Sequence, residues 1–213
     1  EKTLSLAIGM FAFAVWDRRE KELWIARDRF GEKPLYYGSN DGCFAFASEL
    51  KAFRAIPGFC SDIDLEALNE YFVLSHIPAP KTIFSNISKL LPGSYLKIDQ
   101  LGGFGEPVEY WSPLEAALKV EPLSSDESLE KNFVDLFDNV VLNRMVSDVP
   151  IGAFLSGGID SSAVVASMQR HSSSKVKTFT IGFSDQAYDE SKYARQVADV
   201  FKTDHTELFL TPK

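Results

Sequence analysis

Only two cysteines, Cys43 and Cys60, occur in 213 residues, and they form no Cys-x-x-Cys pair. That scarcity excludes a disulfide scaffold and a cysteine-based zinc or dithiol site, and it makes a reducing cytoplasm the expected compartment. Basic residues are outnumbered, 22 against 30 acidic ones, for a formal charge of -8. A surface of that sign repels phosphate backbones, so no nucleic-acid partner is expected. Long apolar runs are also missing. The most apolar window, Leu6 to Trp16, is about half the ~20 residues a membrane-spanning helix needs, so no membrane span is expected. Lys2 is the only basic residue before that window, and at its end Trp16-Asp17-Arg18 lacks the small-residue cleavage pattern of a secretory signal. What the chain has in quantity is apolar side chains, 45% of residues, enough for one large core or two modest ones and too many for a disordered chain. Starting on Glu1 and ending on Thr211-Pro212-Lys213, it is expected to be an internal piece of something longer.

The first half alternates apolar and polar residues. Phe11, Phe13 and Val15, then Leu23 and Ile25, stand either side of the charged stretch Asp17 to Glu22 and predict a β-hairpin. Strands at Leu35 to Tyr37 and Cys43 to Ala47 flank Ser39-Asn40-Asp41-Gly42, whose Asp-Gly step suits the positive φ angles of a tight turn. Asp64 is placed to cap a helix to about Leu74 that buries Leu65, Leu68 and Phe72, after which Pro78, Pro80 and Pro92 enforce loops. A last strand is expected near Tyr95 to Ile98.

Residues 112–123, bracketed by prolines, read as a linker between a first domain, 1–111, and a second, 124–213. Ser124 and Glu127 form a capping-box pair ahead of Leu129, Phe133, Leu136, Phe137, Val140 and Met145, one face of a long helix. Apolar runs at 151–155, 176–183 and 206–210 then alternate with helical patterns at 160–171 and 189–202. Such alternation implies right-handed crossovers and a parallel sheet. The expected class is therefore α+β with antiparallel sheets, followed by the start of an α/β domain.

The most informative stretch, Ser156-Gly157-Gly158-Ile159-Asp160-Ser161-Ser162, falls between the first parallel strand and the next helix. Paired glycines let a backbone turn sharply and approach a ligand, while the helix N-terminus offers unpaired N–H groups and a positive dipole end. The serine hydroxyls add donors. Asp160 would repel bare phosphate and makes sense as a ligand for Mg²⁺ on a pyrophosphate. No Gly-Lys-Ser/Thr closes the loop and no Gly-x-Gly-x-x-Gly is spelled, so the Walker and dinucleotide readings fail. The competing reading is a Gly-Gly turn with Asp160 as an ordinary helix N-cap.

Ser-Gly-Gly-x-Asp-Ser resembles the pyrophosphate loop of the ATP pyrophosphatases that activate a substrate by adenylation. Its neighbours, Met145 to Gly152, Thr178 to Phe183 and Tyr188-Asp189-Glu190-Ser191, resemble glutamine-hydrolysing asparagine synthetase. Gly9 to Ala14, Arg27 to Tyr37 and Phe46 to Lys51 resemble the later half of that family's class II glutamine amidotransferase domain. The resemblance covers essentially the whole chain. It implies that a parent enzyme hydrolyses glutamine, adenylates the side-chain carboxylate of aspartate with ATP and Mg²⁺, and lets ammonia displace AMP to give asparagine. It implies ATP and pyrophosphate contacts at Leu155, Ser156, Gly157, Gly158, Ile159, Asp160, Ser161, Ser162 and Ile181, with Asp160 on the metal, and it allows a homodimer. For Leu155 and Ile181, core burial and ligand contact stand as equal readings. The family's glutaminase nucleophile, an amino-terminal cysteine, has no counterpart in this sequence. Lys202-Thr203-Asp204-His205-Thr206-Glu207 departs from the family's Gly-Thr-Asp-His-His-Glu, which leaves open a related amidotransferase or β-lactam-forming synthetase acting on another carboxylate. A non-catalytic fragment is the reading from another class.

Other conspicuous residues are read as structural. Asp189 and Glu190 suit a helix dipole; His205 has no partner carboxylate at metal-ligand spacing; Cys43 is expected buried in its strand; Cys60 is expected in a loop. The Arg27 to Lys33 run reads as a solvated turn.

Overall fold

The computed structural model describes residues 2–59, 62–120, 127–185 and 188–211. The chain divides into two compact units, Glu1–Glu121 and Pro122–Lys213.

The first unit opens with a short helix α1 (Lys2–Leu6) and the hairpin β1 (Ala12–Asp17) and β2 (Glu22–Arg27). Their register sets Phe13 opposite Ala26 and Val15 opposite Trp24. The turn forms because the Asp17 carboxylate accepts from the N–H groups of Arg19 and Glu20 at 2.8 and 3.2 Å. A second hairpin joins β3 (Tyr36–Asn40) to β4 (Cys43–Ala47). Asp41 and Gly42 have φ of 48° and 77°, the two left-handed positions that a two-residue hairpin demands. A 3-10 turn (Leu50–Ala55) leads to α2 (Leu65–Leu74), then come β5 (Ile87–Lys89), β6 (Ser94–Ile98), β7 (Val108–Glu109) and α3 (Pro113–Leu118). The strands form two antiparallel sheets, ordered β1-β2-β6-β7 and β4-β3-β5. One core gathers Ile25, Leu35, Tyr37, Leu90, Leu96 and Ile98; another gathers Ala45, Phe53, Phe59 and Ile87.

Several expectations are corrected here. Asp64 caps α2 as expected, accepting from Glu66 and Ala67 N–H at 2.9 and 3.1 Å. The buried residue of that helix, however, is Ala67, while Leu65 and Phe72 are 75% and 77% exposed. Ala67 alone is fully buried, and the bulky Leu65 and Phe72 are left outward. Cys43 is exposed: it starts β4 beside the Asp41-Gly42 turn, beyond the end of the covering core. Cys60 lies outside the described residues, as do Ser124 to Asp126 and with them the capping-box reading. The Arg27 to Lys33 turn is not simply solvated. Asp28 is 1% exposed and accepts from the N–H groups of Phe11, Phe30, Glu32 and Lys33 at 2.9–3.2 Å. Burial pushes its carboxyl up, but those four N–H bonds outweigh it and hold it below the usual carboxylate range. Arg29 reaches the carbonyls of Ser5 and Ala7, closing the C-terminal end of α1.

The second unit begins with α4 (Glu127–Arg144), followed by β8 (Gly152–Phe154), α5 (Ile159–His171), β9 (Lys177–Phe183), α6 (Ser191–Phe201) and β10 (Asp204–Leu210). The sheet is parallel throughout, in the order β10-β9-β8, as strands separated by helices require. Leu155, Val165, Ala194 and Ala198 form the core between sheet, α5 and α6. A second cluster, Val141, Met168 and Val176 with Phe137 and Met145, docks α4. The apolar stripe expected on α4 is therefore only partly turned inward: Phe137 and Val141 pack against the unit, whereas Phe133 and Leu136 are each 63% exposed. Asp138 locks that contact by accepting from Ser167 Oγ at 2.6 Å, with Arg170 and His171 at 2.9 and 3.0 Å. Among the described residues no helix is long and apolar enough to cross a membrane.

Candidate functional site

Side chains of β9 alternate, with Thr178, Thr180 and Gly182 buried and Phe179, Ile181 and Phe183 exposed. The Thr180 hydroxyl donates to the Leu155 carbonyl, and Leu155 N–H donates to Phe179 O at 2.9 Å. These bonds fix the end of β8, and the chain then leaves the sheet at its carboxyl end as Ser156-Gly157-Gly158. In open parallel sheets that is the end where ligands bind.

Gly157 has φ +82°, and a β-carbon there would meet the Tyr193 carbonyl carbon at 2.5 Å and the Ala194 nitrogen at 2.7 Å. Gly158 differs. Its φ of -72° and ψ of 164° are open to any residue, and only Ser156 Oγ, at 3.3 Å, lies near its virtual β-carbon. Gly158 is also the N-cap of α5, without a side-chain cap bond. The Asp160-as-N-cap reading therefore fails, since Asp160 stands inside the first turn. The first backbone bond of α5 runs from Ser162 N–H to Gly158 O at 3.0 Å, so the N–H groups of Ile159, Asp160 and Ser161 precede it and are free of the helix ladder. Ser156 Oγ and Ser161 Oγ lie 3.0 Å apart, and Ser156 Oγ accepts from Gly158 N–H at 3.2 Å. Ser162 Oγ is buried and has no hydrogen-bond partner among the described residues.

The other predicted residues are placed unequally. Leu155 is 2% exposed in the helix-side core, so its side chain packs rather than lines the loop. Ile181 is 43% exposed on the opposite sheet face, in register with Leu208, and Ile159 is 89% exposed. Asp160 is exposed. Asp189 accepts from Ser191 Oγ at 3.0 Å, from Ser191 N–H at 3.2 Å and from Phe183 N–H at 3.3 Å. The Ser191 hydroxyl leads the interactions that keep its carboxyl below the usual range. It thus binds the end of β9 to the start of α6. Beside it, an apolar hollow of about 570 Å³ opens among Phe183, Ser184, Asp185, Tyr188, Leu210 and Thr211.

His205 is not alone, as its sequence neighbourhood suggested. Its Nδ1 is 2.9 Å from Thr178 Oγ1, and its Nε2 lies 3.5 Å from Glu207 Oε1. Strand geometry places residues two apart on one side, and that period was the available signal for the pair. Arg195 in turn forks onto Glu207, a contact twelve residues distant that nothing in the sequence marks.

These groups fit a polyphosphate carrying one divalent cation. An open glycine, three first-turn N–H groups and an orphaned serine hydroxyl face that task, with one exposed carboxylate beside them. Among the described residues no cluster of three or more His, Cys, Asp or Glu could hold an ion, so Mg²⁺ would take most of its oxygens from phosphate and water, as it usually does.

Residues 1–111 match the family model described as glutamine amidotransferase domain, and residues 132–213 match the one described as asparagine synthase. A glutamine-hydrolyzing asparagine synthetase of Bacillus subtilis is 33% identical over 213 residues, covering 100% of this chain and 33% of its own length. A Methanocaldococcus jannaschii relative bearing the same enzyme name is 38% identical over 204 residues, covering 94% of this chain and 39% of its own. The chain thus spans between a third and two fifths of these relatives. A solved glutamine phosphoribosylpyrophosphate amidotransferase from Bacillus subtilis aligns over the whole chain with a TM-score of 0.32 and 16% identity. On the match over its first 111 residues, the chain belongs to the glutamine amidotransferase domain family, and it continues into a segment matching asparagine synthase.

Proposed function

We propose that this chain is part of a cytoplasmic, ATP-dependent asparagine synthetase that draws ammonia from glutamine, and that residues 156–162 hold the pyrophosphate of ATP. The observation that carries the reading is Gly158: an N-cap glycine in an unstrained conformation, whose β-carbon would meet no backbone and only the rotatable Ser156 hydroxyl, at 3.3 Å. Neither a turn nor close packing demands glycine there, whereas a ligand lying against the backbone would.

The chain's own groups have distinct tasks. The N–H groups of Ile159, Asp160 and Ser161 hold phosphate oxygens at the helix end, and the Ser161 and Ser162 hydroxyls add neutral donors. Asp160 holds the cation on the phosphates; Mg²⁺ when bound neutralises charge that builds on the departing pyrophosphate. Aspartate would be activated through its side-chain carboxylate as an acyl-adenylate, because a free carboxylate is a poor acyl donor. Ile181, exposed on the sheet, offers an apolar surface to the adenine ring. The domain division at 1–111, 112–123 and 124–213 is proposed to separate ammonia release from adenylation.

The reading is tested in the full-length protein by ATP–pyrophosphate exchange. Exchange should require aspartate and Mg²⁺. Exchange with another carboxylate and not with aspartate would overturn the substrate, and none with any carboxylate would overturn the adenylation.

A further inference from the structure

The loop leans on α6. A β-carbon on Gly157 would stand within 2.7 Å of Tyr193 and Ala194 backbone atoms, so these two pieces of chain are in direct contact. The next residue, Arg195, faces the sheet instead: its Nε donates to Glu207 Oε1 at 2.8 Å and its Nη2 donates to Oε2. The Glu207 side chain is 13% exposed and lies in register with Thr180, whose hydroxyl holds the Leu155 carbonyl just before the loop. Three consecutive residues of α6 are thus fastened at two points, Gly157 on one side and β10 on the other. Ala194 and Ala198 press α6 onto the core with Leu155 and Val165, a contact of small side chains that sets its depth, and the fork to β10 adds the directional contact.

We infer that Arg195 and Glu207 are positioning residues for the loop. Their fork fixes the height and rotation of α6, and α6 fixes the backbone N–H groups that would face phosphate. A two-bonded guanidinium–carboxylate contact sets direction as well as distance, which a lysine cannot do. The inference rests on reading the loop as the nucleotide site, yet the coupling itself is measurable without nucleotide.

Amide hydrogen exchange, followed at Leu155, Ser156, Gly158 and Ser162, whose N–H groups are hydrogen-bonded, and compared with residues 164–170 of the same helix α5, tests it. Arg195→Lys and Glu207→Gln should each raise exchange of those four amides by about tenfold while residues 164–170 keep their rate. A purely structural role would raise both together, and that uniform result overturns the inference, as does unchanged loop exchange in a folded variant. The reversed pair, Arg195→Glu with Glu207→Arg, should restore part of the loop protection. Should Glu207→Gln fail to fold, Arg195→Lys, which keeps the charge, decides alone. Titration of the full-length protein with ATP and Mg²⁺ separates the two readings: absent binding overturns the nucleotide assignment, whereas normal binding with unresponsive loop exchange overturns only the coupling.

Discussion

Alanine at Gly157 and alanine at Gly158 should fail in opposite ways, although the two glycines are adjacent. At 157 the backbone has φ +82°, which costs an L-residue about 1–2 kcal/mol. The new methyl would also stand 2.5–2.7 Å from backbone and Cβ atoms of Tyr193 and Ala194, and overpacking of that kind adds roughly 1–3 kcal/mol. The sum, about 2 kcal/mol at least, lowers the melting midpoint of a unit this size by roughly 8 °C or more. At 158 the extended conformation suits any residue, and the single neighbour, Ser156 Oγ at 3.3 Å, need move only a few tenths of an ångström. Stability there should stay about level, because the ~0.4–1 kcal/mol gained by restricting the unfolded chain is offset by alanine being a poorer N-cap than glycine. Affinity is the reverse case, since the 158 methyl stands where phosphate oxygens must reach the backbone. Thermal unfolding of both variants, paired with calorimetric titration of ATP and Mg²⁺, reads both quantities. Wild-type affinity in Gly158→Ala would refute the cradle, and wild-type stability in Gly157→Ala would refute the packing argument.

Asp160→Asn should weaken ATP binding at least tenfold in Mg²⁺ but not in its absence, with little change in melting since the side chain is exposed; equal loss under both conditions would remove the metal role. Asp28→Ala leaves the N–H groups of Phe11, Phe30, Glu32 and Lys33 without their acceptor, at roughly 1–3 kcal/mol for a buried unpaired group and about 3 or more for the set. All three tryptophans, Trp16, Trp24 and Trp111, lie in the first unit, so urea unfolding followed by their fluorescence reports that loss directly. Because the folded carboxyl of Asp28 is held below its ordinary range, its contribution is complete above that range and disappears as pH falls through the lowered value. The gap between wild type and Asp28→Ala should therefore close on acidification, and a gap that widened would reverse the assignment. Cys43, being exposed, should be alkylated by a maleimide in the folded chain without shifting the urea midpoint; protection until unfolding would return it to the core.

How far the sequence can be read depended on whether a signal was local. The parallel unit was legible because apolar runs of strand length alternated with helical ones and a Gly-Gly step stood at the right junction. The Asp41-Gly42 hairpin was legible for the same reason, since turn chemistry resides in two residues. Burial was less so. Leu65 and Phe72 have the spacing of a core stripe, yet Ala67 makes the contact, because periodicity gives a face without saying what covers it. Cys43 follows the alternation of β4 but sits at its first residue, where the covering layer has ended. The glycines looked equivalent in the sequence and proved different once α6 was seen against Gly157. The Arg195–Glu207 fork joins a helix to a strand through geometry alone, and residue spacing carries no trace of it.

Strand β2 lies inside its sheet, between β1 and β6, and Ile25 pairs with Leu96, roughly seventy residues later. During synthesis the β1–β2 hairpin therefore emerges with the edge of β2 still unpaired, and that edge must wait for β6. At about 5–20 residues per second, that interval is roughly 4–15 s, long compared with the microseconds a hairpin needs to form. An open edge held for that time invites pairing with neighbouring nascent chains on the same message. Slow translation between Arg27 and Ser94 should thus promote co-aggregation on polysomes, and chaperone demand for this fold should fall on that stretch.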